Sequence, residues 1–257
     1  MAYNSIELMI CAAAGALEDG KIVVVGTGIP CAVAMLAQRT HAPNLTVMFE
    51  AGGLAPILPT MPISVGDSRT YHRGLMATSM AEIMQICQRG LVDYTFLGGA
   101  QIDSYGNLNS TVIGPYERPK VRLPGSGGAC DLASFCWRTL VVTKHDPRRF
   151  VAKLDFLTTP GYLTGPGARE AAGLPAHTGP YRVVTDLAVM GFHPQTKRMQ
   201  VLSLHPGVSL EQVQAATSFV LEVAEPLQQT PPPTELQLKV LREEVDPHRY
   251  ILGRAVA

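Results

Sequence analysis

Short apolar runs that each end in a turn of glycine or polar residues constrain the fold of this chain most strongly. The run Ile22–Val25 is rich in β-branched residues and leads into Gly26–Pro30, and the run Leu45–Phe49 ends at Glu50. Neither run alternates apolar with polar residues, which is the pattern of strands buried on both faces of a parallel sheet. Such strands need helices on each side to cover them.

Segments with helical or strand character alternate along most of the chain. Residues 51–68 are an exception, because their Gly and Pro content breaks both patterns. The predicted helices are Ser5–Leu17, Cys31–Arg39, Met80–Arg89 and Glu235–Glu244, and the further predicted strands are Tyr94–Leu97, Leu140–Thr143, Tyr181–Thr185 and Met199–Leu204. We therefore expect an α/β fold with an open, largely parallel sheet and helices on both faces.

Length and charge limit the domain organisation and the partners. A chain of 257 residues with 46% hydrophobic content can bury one large core. The consecutive prolines in Gln228–Thr234 indicate a stiff linker, so we expect a main domain of residues 1–227. Residues 228–257 would then supply the linker and a C-terminal docking helix. Lys and Arg balance Asp and Glu at 21 each, which argues against binding to nucleic acid or to an anionic membrane.

Cysteine usage and the N-terminal segment bear on the compartment. The five cysteines form no CxxC pair, so neither a disulfide framework nor a zinc site is indicated. The first 17 residues are apolar, but Glu7 interrupts them and no basic region precedes them, which argues against a signal peptide. We expect a soluble, cytoplasmic protein with thiols in the reduced state.

Two of the turns offer chemistry, since the sites of open α/β sheets form beyond the carboxyl ends of strands. Gly26–Pro30 lacks the third glycine of a dinucleotide fingerprint, so it is an ordinary tight turn or a backbone surface for a phosphate or pantetheine arm. Glu50 is a capping or surface carboxylate, or a nucleophile toward an activated acyl group. In the second case, Gly52 and Gly53 would leave room for the substrate to approach.

Further candidates lie in the middle of the chain. The turn Gly125–Asp131 could supply backbone N–H groups to an oxyanion. The side-chain amides of Gln101, Asn107 and Asn109 could contact a ligand, or could satisfy their own turns. Three histidines, His72, His145 and His205, lack metal-ligand spacing, and no GxSxG motif of a serine hydrolase is present. The cations Arg69, His72 and Arg73 are candidates for pairing with a substrate carboxylate or are solvated surface charges.

An ordered series of glycine-rich and amide-bearing segments extends over almost the whole chain. The segments are Val25–Pro30, Val47–Gly52, Ser64–Asp67, Phe96–Ser110, Pro124–Ala129, Thr158–Tyr162, Gly165–Gly167 and Leu241–Pro247. In this order and spacing they resemble the β subunits of class I coenzyme A-transferases, most of all those of the glutaconate type. A single glycine turn would mean little, but the complete series is specific.

The resemblance implies roles for individual residues. Glu50 matches the glutamate that attacks an acyl-CoA, forming first an anhydride and then a glutamyl-CoA thioester. The positions that match stretches near the coenzyme are Gly26, Thr27, Gly28, Ile29, Pro30, Gln101, Asn107, Asn109, Gly127 and Gly128. The resemblance further implies CoA as a substrate, no permanently bound cofactor, no metal, and a homologous α subunit that completes the site within a larger heteromer.

Other functions on the same scaffold stay open. The resemblance extends to acyl-CoA hydrolases, decarboxylases and carbon–carbon lyases, in which Glu50 would act as a base. A CoA-binding subunit without catalytic activity is a third possibility. Retention of a glutamate at position 50 favours transfer, and the acyl donor and acceptor acid are not specified by the sequence.

Overall fold

The chain forms two compact units. The computed structural model describes residues 2–253. Unit 1 comprises Met1–Phe96 and Pro231–Ala257, and unit 2 comprises Leu97–Thr230. The division of the sequence into residues 1–227 and 228–257 was inferred from linker composition and stays a prediction.

Helices and strands alternate in both units. The α-helices within residues 2–253 are α1 Ser5–Ala14, α2 Ile29–Arg39, α3 Met80–Gln88, α4 Ala129–Phe135, α5 Ala168–Ala171, α6 Leu210–Ala215 and α7 Glu235–Val240, together with a 3-10 helix at Ser68–Tyr71 and a π-helix at Leu241–Val245. The strands are β1 Ile22–Val25, β2 Thr46–Phe49, β3 Gly53–Leu54, β4 Met76–Ala77, β5 Tyr94–Leu97, β6 Gln101–Ile102, β7 Leu108–Asn109, β8 Val112–Ile113, β9 Val121–Arg122, β10 Arg138–Val142, β11 Gly179–Val184, β12 Ala188–Phe192, β13 Met199–Leu204 and β14 Glu222–Gln229. The predicted α/β class is confirmed.

The sheet of unit 1 is built around β1. Strands β2 and β5 pair with β1 in parallel, and the register places Val25 opposite Phe49. Beyond β2, the short strands β3 and β4 pair in antiparallel fashion. The apolar runs that predicted these strands are buried because helices such as α2, whose residues Cys31–Ala37 are all buried, cover them.

Gly28 and Pro30 mark the start of helix α2. Gly28 has φ 81°, a conformation that favours glycine, and Pro30 lies in the first turn, where its missing N–H costs nothing. Helix α1 begins with a capping box between Asn4 and Glu7. It ends at Ala14 rather than at the predicted Leu17, because Gly15 follows and the chain turns there.

Unit 2 contains a mixed sheet. Strands β10 and β11 pair in parallel, β11, β12 and β13 form an antiparallel meander, and β14 pairs with β13 in parallel. The two glutamines Gln228 and Gln229 were expected in the linker, but they form the end of β14 opposite Ser203 and Leu204. The strand was not predicted because half of its residues are polar and none of its residues is buried.

Two of the three histidines singled out in the sequence are core residues of unit 2. His145 bridges the hydroxyls of Thr185 and Thr217 and stacks on Phe150, and burial lowers its pKa to about 4. His205 is hydrogen-bonded to a threonine hydroxyl and a backbone carbonyl, and burial lowers its pKa as well.

None of the helices in residues 2–253 is long and apolar enough to span a membrane.

The C-terminal helix packs within unit 1, against α2. It was predicted to run from Glu235 to Glu244 and is found as α7 followed by the π-helix Leu241–Val245. Arg242 donates from Nε and Nη2 to the two carboxylate oxygens of Glu7, at 2.6 and 2.9 Å. Glu7 is only 1% exposed, so this ion pair joins the two ends of the chain at a nearly dry position.

Replacing Arg242 tests the contribution of this pair. Burial would raise the pKa of Glu7, but the hydrogen bonds from Arg242 and Asn4 and the Arg242 charge outweigh it, so the pKa is lowered. Arg242→Met leaves a buried carboxylate unpaired and should lower the free energy of unfolding by about 2–4 kcal/mol in urea denaturation near pH 7. Because the folded-state pKa is the lower one, this difference should shrink as the pH falls below the unfolded value of about 4.3.

The exposed pair Arg148–Asp146 provides the matched control. The Arg148 side chain is 90% exposed, so Arg148→Met should leave the unfolding curve nearly unchanged. Equal effects of the two substitutions would contradict a specific contribution from the Glu7–Arg242 pair.

Candidate active site

Glu50 and the Gly26–Pro30 turn leave the sheet of unit 1 at the same edge. The last residues of β1 and β2, Val25 and Phe49, are paired in parallel register. The next residues along the chain are Gly26 and Glu50, so the turn and the carboxylate follow neighbouring strands side by side. This is the position at which open α/β sheets bind their ligands.

The Glu50 side chain is half-buried and unpaired. Within residues 2–253, no hydrogen bond or ion pair to its carboxylate is found. The preceding strand β2 is buried from Val47 to Phe49, which fixes the backbone up to the carboxylate-bearing residue. Among the described residues Glu50 therefore caps no helix, and its roles as a surface carboxylate or as a nucleophile stay open.

The Gly26–Pro30 turn presents unbonded backbone donors. No side chain caps α2, and no hydrogen-bond acceptor for the amide groups of Thr27, Gly28 and Ile29 is found in the described part of the chain. The N-terminus of a helix with free N–H groups attracts anions, because the groups and the helix dipole point the same way. A Cβ on Gly26 or Gly28 would meet no atom of the described residues within 4 Å, apart from the adjacent ones, so the main chain is open to close approach.

Gly52 and Gly53 have a different role from the one expected. A Cβ on Gly52 would lie 2.0 Å from the carbonyl oxygen of Thr78, and one on Gly53 would lie 2.0 Å from that of Thr70. Both glycines are buried, so the space beside them is filled by the chain's own backbone and not left for a substrate. Their function is to let the segment of residues 70–78 close over the turn that follows Glu50.

Tyr71 fixes the same turn and was missed in the sequence. Its hydroxyl donates to the carbonyl oxygen of Ala51 at 2.5 Å, directly after Glu50. The amide of Thr78 donates to the carbonyl oxygen of Gly52 at 2.9 Å. No local pattern links Tyr71 to a residue 20 positions earlier, so only the folded chain reveals this contact.

The three cations beyond the proline-rich loop differ in availability. Arg69 donates hydrogen bonds to the carboxylate of Asp67. These bonds hold the pKa of Asp67 well below its usual range. Arg69 also donates to the hydroxyl of Thr60. His72 and Arg73 are exposed, and no partner of the Arg73 guanidinium is found among the described residues. The pairing of a substrate carboxylate with His72 or Arg73 stays a prediction.

Gln101 and Asn109 hold a hairpin of unit 2 together. Strands β6 and β7 pair Gln101 with Asn109, and the Asn109 amide donates to Gln101 Oε1 and to the carbonyl of Val112. Asn109 Oδ1 accepts from the amides of Thr111 and Val112. Gln101 completes its bonds with Asp155. Asn109 is 0% exposed, and its side-chain amide and oxygen are both bonded within the hairpin region. Direct contact of Asn109 with a coenzyme stays a prediction.

Asn107 is likewise occupied. Its Nδ2 donates to Asp103 and to the carbonyl of Leu163, and its Oδ1 accepts from the amides of Gly161 and Leu163. Burial raises the pKa of Asp103, although the hydrogen bonds from Asn107 and Tyr105 act in the opposite direction. The side chain of Asn107 thus clamps one loop of unit 2 to another, and its contact with a coenzyme also stays a prediction.

The turn at Gly127 and Gly128 in unit 2 is accessible, unlike the buried amides of Asn107 and Asn109. Gly127 is exposed with φ 50°, and Gly128 precedes α4 without a side-chain cap. Within residues 2–253, the amides of these two glycines have no hydrogen-bond acceptor, whereas the amides of Ala129 and Cys130 are bonded to Ser126. The predicted oxyanion role therefore has free N–H groups available.

The candidate residues fall into two groups. Unit 1 holds Glu50 together with the Gly26–Pro30 turn, and unit 2 holds the hairpin amides and the Gly127–Gly128 turn. Within residues 2–253, no cluster of three or more His, Cys, Asp or Glu side chains is placed to hold a metal ion.

Known proteins are similar to this chain over most of its length. A family model described as coenzyme A transferase matches residues 6–216. The B subunit of the 3-oxoadipate CoA-transferase of Pseudomonas knackmussii is 39% identical over 242 residues, which cover 94% of this chain and 93% of the relative. The B subunit of the glutaconate CoA-transferase of Acidaminococcus fermentans is 38% identical over 250 residues, with 95% and 93% covered.

Solved structures of related proteins have the same fold as this chain. The glutaconate coenzyme A-transferase of Acidaminococcus fermentans superposes with a TM-score of 0.93 at 35% identity, covering 98% of both chains. The decarboxylase AibA/AibB superposes with a TM-score of 0.83 at 25% identity, covering 97% of both chains. The fold is that of an α/β protein with a large, mostly parallel sheet. The chain belongs to the coenzyme A transferase family.

A matched pair of glycine substitutions tests the role assigned to Gly53. Gly53→Ala places a methyl group against the carbonyl of Thr70 and should lower the free energy of unfolding by about 2 kcal/mol or more in urea denaturation. Gly26→Ala, at a glycine with open space and no positive φ, should change it by less than about 1 kcal/mol. Comparable losses in the two variants would contradict the backbone contact as the reason for Gly53.

Proposed function

We propose that this chain is the catalytic β subunit of a CoA-transferase that moves CoA between an acyl-CoA and a carboxylic acid, with small dicarboxylic acids as candidate substrates. The observation that carries the proposal is the unpaired, half-buried carboxylate of Glu50 beside the open Gly26–Pro30 turn. Membership of the family and the similarity to the B subunits of two CoA-transferases support it.

The proposed reaction begins at the thioester carbonyl. A carboxylate oxygen of Glu50 attacks this carbon, the carbon–sulfur bond breaks, and a mixed anhydride and CoA thiolate result. The thiolate then attacks the glutamyl carbonyl, which releases the donor acid and leaves a glutamyl-CoA thioester. The acceptor carboxylate attacks that thioester to form a second anhydride and free thiolate. Attack of the thiolate on the acceptor acyl carbon gives the new acyl-CoA and restores Glu50.

The open turns would supply the remaining chemistry. The free amides of Thr27, Gly28 and Ile29 would face the coenzyme, and those of Gly127 and Gly128 would stabilise a tetrahedral oxyanion. One such donor contributes roughly 3–4 kcal/mol to the transition state. Binding of the long CoA arm would lower the barrier at the distant acyl centre, provided that water is kept from the thioester. Gln101, Asn107 and Asn109, whose side chains bond to neighbouring loops of unit 2, would hold those loops in place.

A homologous α subunit is the expected partner. The similar chains are named as B subunits, which supports a heteromer in which α and β chains complete one site. A cytoplasmic location belongs to the same proposal.

Decarboxylation, hydrolysis or carbon–carbon cleavage is the second candidate. The similarity to the decarboxylase AibA/AibB supports this candidate, since the same fold serves a decarboxylase as well as a CoA-transferase. In that case Glu50 would act as a base and would not become covalently modified.

Trapping of the covalent intermediate distinguishes the two. The complex incubated with an acyl-CoA and then with hydroxylamine should carry a hydroxamate on Glu50, detected by peptide mass spectrometry. Glu50→Gln should remain unlabelled and lose about 10⁴-fold or more in kcat, whereas Glu243→Gln, an exposed glutamate of the same unit, should retain labelling and turnover. An active complex whose Glu50 stays unmodified would refute transfer through a glutamyl-CoA.

Assembly can be tested separately. The chain produced alone should show no transfer activity, because half of the proposed site is missing, and co-production with its α subunit should restore turnover. Size-exclusion chromatography with activity assays across the peaks measures both. Full activity in a peak that contains this chain alone would disprove a shared site.

A further inference from the structure

A small polar cavity in unit 2 is not part of the proposed catalytic site. It has a volume of about 230 Å³, and its lining includes Tyr162, Arg169, Glu170, His177, Thr178 and Lys197. We call it the Arg169 pocket. Its volume lies below the roughly 300–1,000 Å³ of clefts that enclose whole drug-sized ligands, so it suits a small ion or one end of a longer molecule.

Arg169 brings an uncompensated charge to this pocket. Its side chain is 2% exposed and donates only to neutral acceptors, which are the carbonyls of Pro160, Gly161 and Ala133 and the hydroxyl of Thr178. Within residues 2–253 it forms no ion pair, and its Nε has no hydrogen-bond partner. A buried cation without a counter-ion is costly, and an anion nearby would offset that cost.

Lys197 and His177 line the same pocket. The ammonium group of Lys197 lies 5.3 Å from the centre of the Tyr162 ring, and no ion pair of Lys197, His177 or Glu170 is found among the described residues. Glu170 is the one carboxylate among the lining residues. Two permanent cations, Arg169 and Lys197, therefore line the pocket with one carboxylate, that of Glu170.

We propose that the Arg169 pocket binds a phosphate group. Lysine binds phosphate as a point charge, and arginine contributes a further fixed cation close by. The hydroxyls of Tyr162 and Thr178 already donate to the carbonyls of Pro180 and Pro175, so charge and not hydroxyl donation selects the ligand. The phosphate is either a free anion or a phosphate of a larger molecule such as CoA, and both present the same group.

Thermal stability in titrations of inorganic phosphate tests the site. Measurements use the full chain, or its complex with the α subunit, against sodium chloride of equal ionic strength. Phosphate should raise the melting temperature, because a ligand that binds the folded state stabilises it. Lys197→Gln should raise the half-saturating phosphate concentration by about tenfold, which corresponds to one lost charge-assisted contact. Lys144→Gln removes the same charge at an exposed lysine of unit 2 and should behave like the wild type.

A parallel titration with CoA identifies the source of the phosphate. Saturation at far lower concentrations than with inorganic phosphate, weakened by Lys197→Gln, would assign the pocket to the coenzyme. Saturation by inorganic phosphate alone would assign it to a free anion. No stabilisation beyond that of chloride, or equal losses in Lys197→Gln and Lys144→Gln, would overturn the proposal. Because neither titration involves turnover, failure here leaves the covalent trapping of Glu50 as an independent test of the proposed function.

Discussion

The parallel pairing of β1 with β2 is the constraint on which the site of unit 1 depends. Its register sets Val25 against Phe49, and this alone places the Gly26–Pro30 turn beside Glu50. A shift by one residue would turn the buried side chains of β2 toward the opposite face and carry Glu50 away from the turn. Both strands are largely buried, which makes such a shift costly. The packing of the apolar core therefore fixes the position of Glu50.

The glycines of the predicted site divide into two physical kinds. At Gly52 and Gly53 the missing Cβ lets two backbone segments touch, which the positions of the Thr70 and Thr78 carbonyls require. At Gly26 and Gly127 no atom of residues 2–253, apart from the adjacent residues, lies within 4 Å of the position of a Cβ. The first kind supports the turn after Glu50, and the second leaves the main chain open to a ligand. Both kinds have the same appearance in a sequence.

Local patterns were sufficient for some features and insufficient for others. The strands β1, β5 and β13 have the predicted bounds, since a buried strand is marked by its own apolar residues. The polar strand β14 and the bond from Tyr71 to Ala51 depend on partners elsewhere in the chain, so no local pattern marks them. The amide of Asn109 illustrates the same limit, because its bonds to Gln101 and Val112 become apparent only in the folded hairpin.

No ion pair to Glu50 is found in the part of the chain that the structure describes, which favours the proposed chemistry over a structural role. A carboxylate that attacks a thioester loses its charge when the anhydride forms, so a neighbouring Lys or Arg would stabilise the state before the reaction more than the state after it. Neutral N–H groups avoid that penalty, because they interact with the developing oxyanion as well as with a carboxylate. Arg69, a basic residue of the loop, is bound to Asp67, so the proposed nucleophile would keep the reactivity that a salt bridge would diminish.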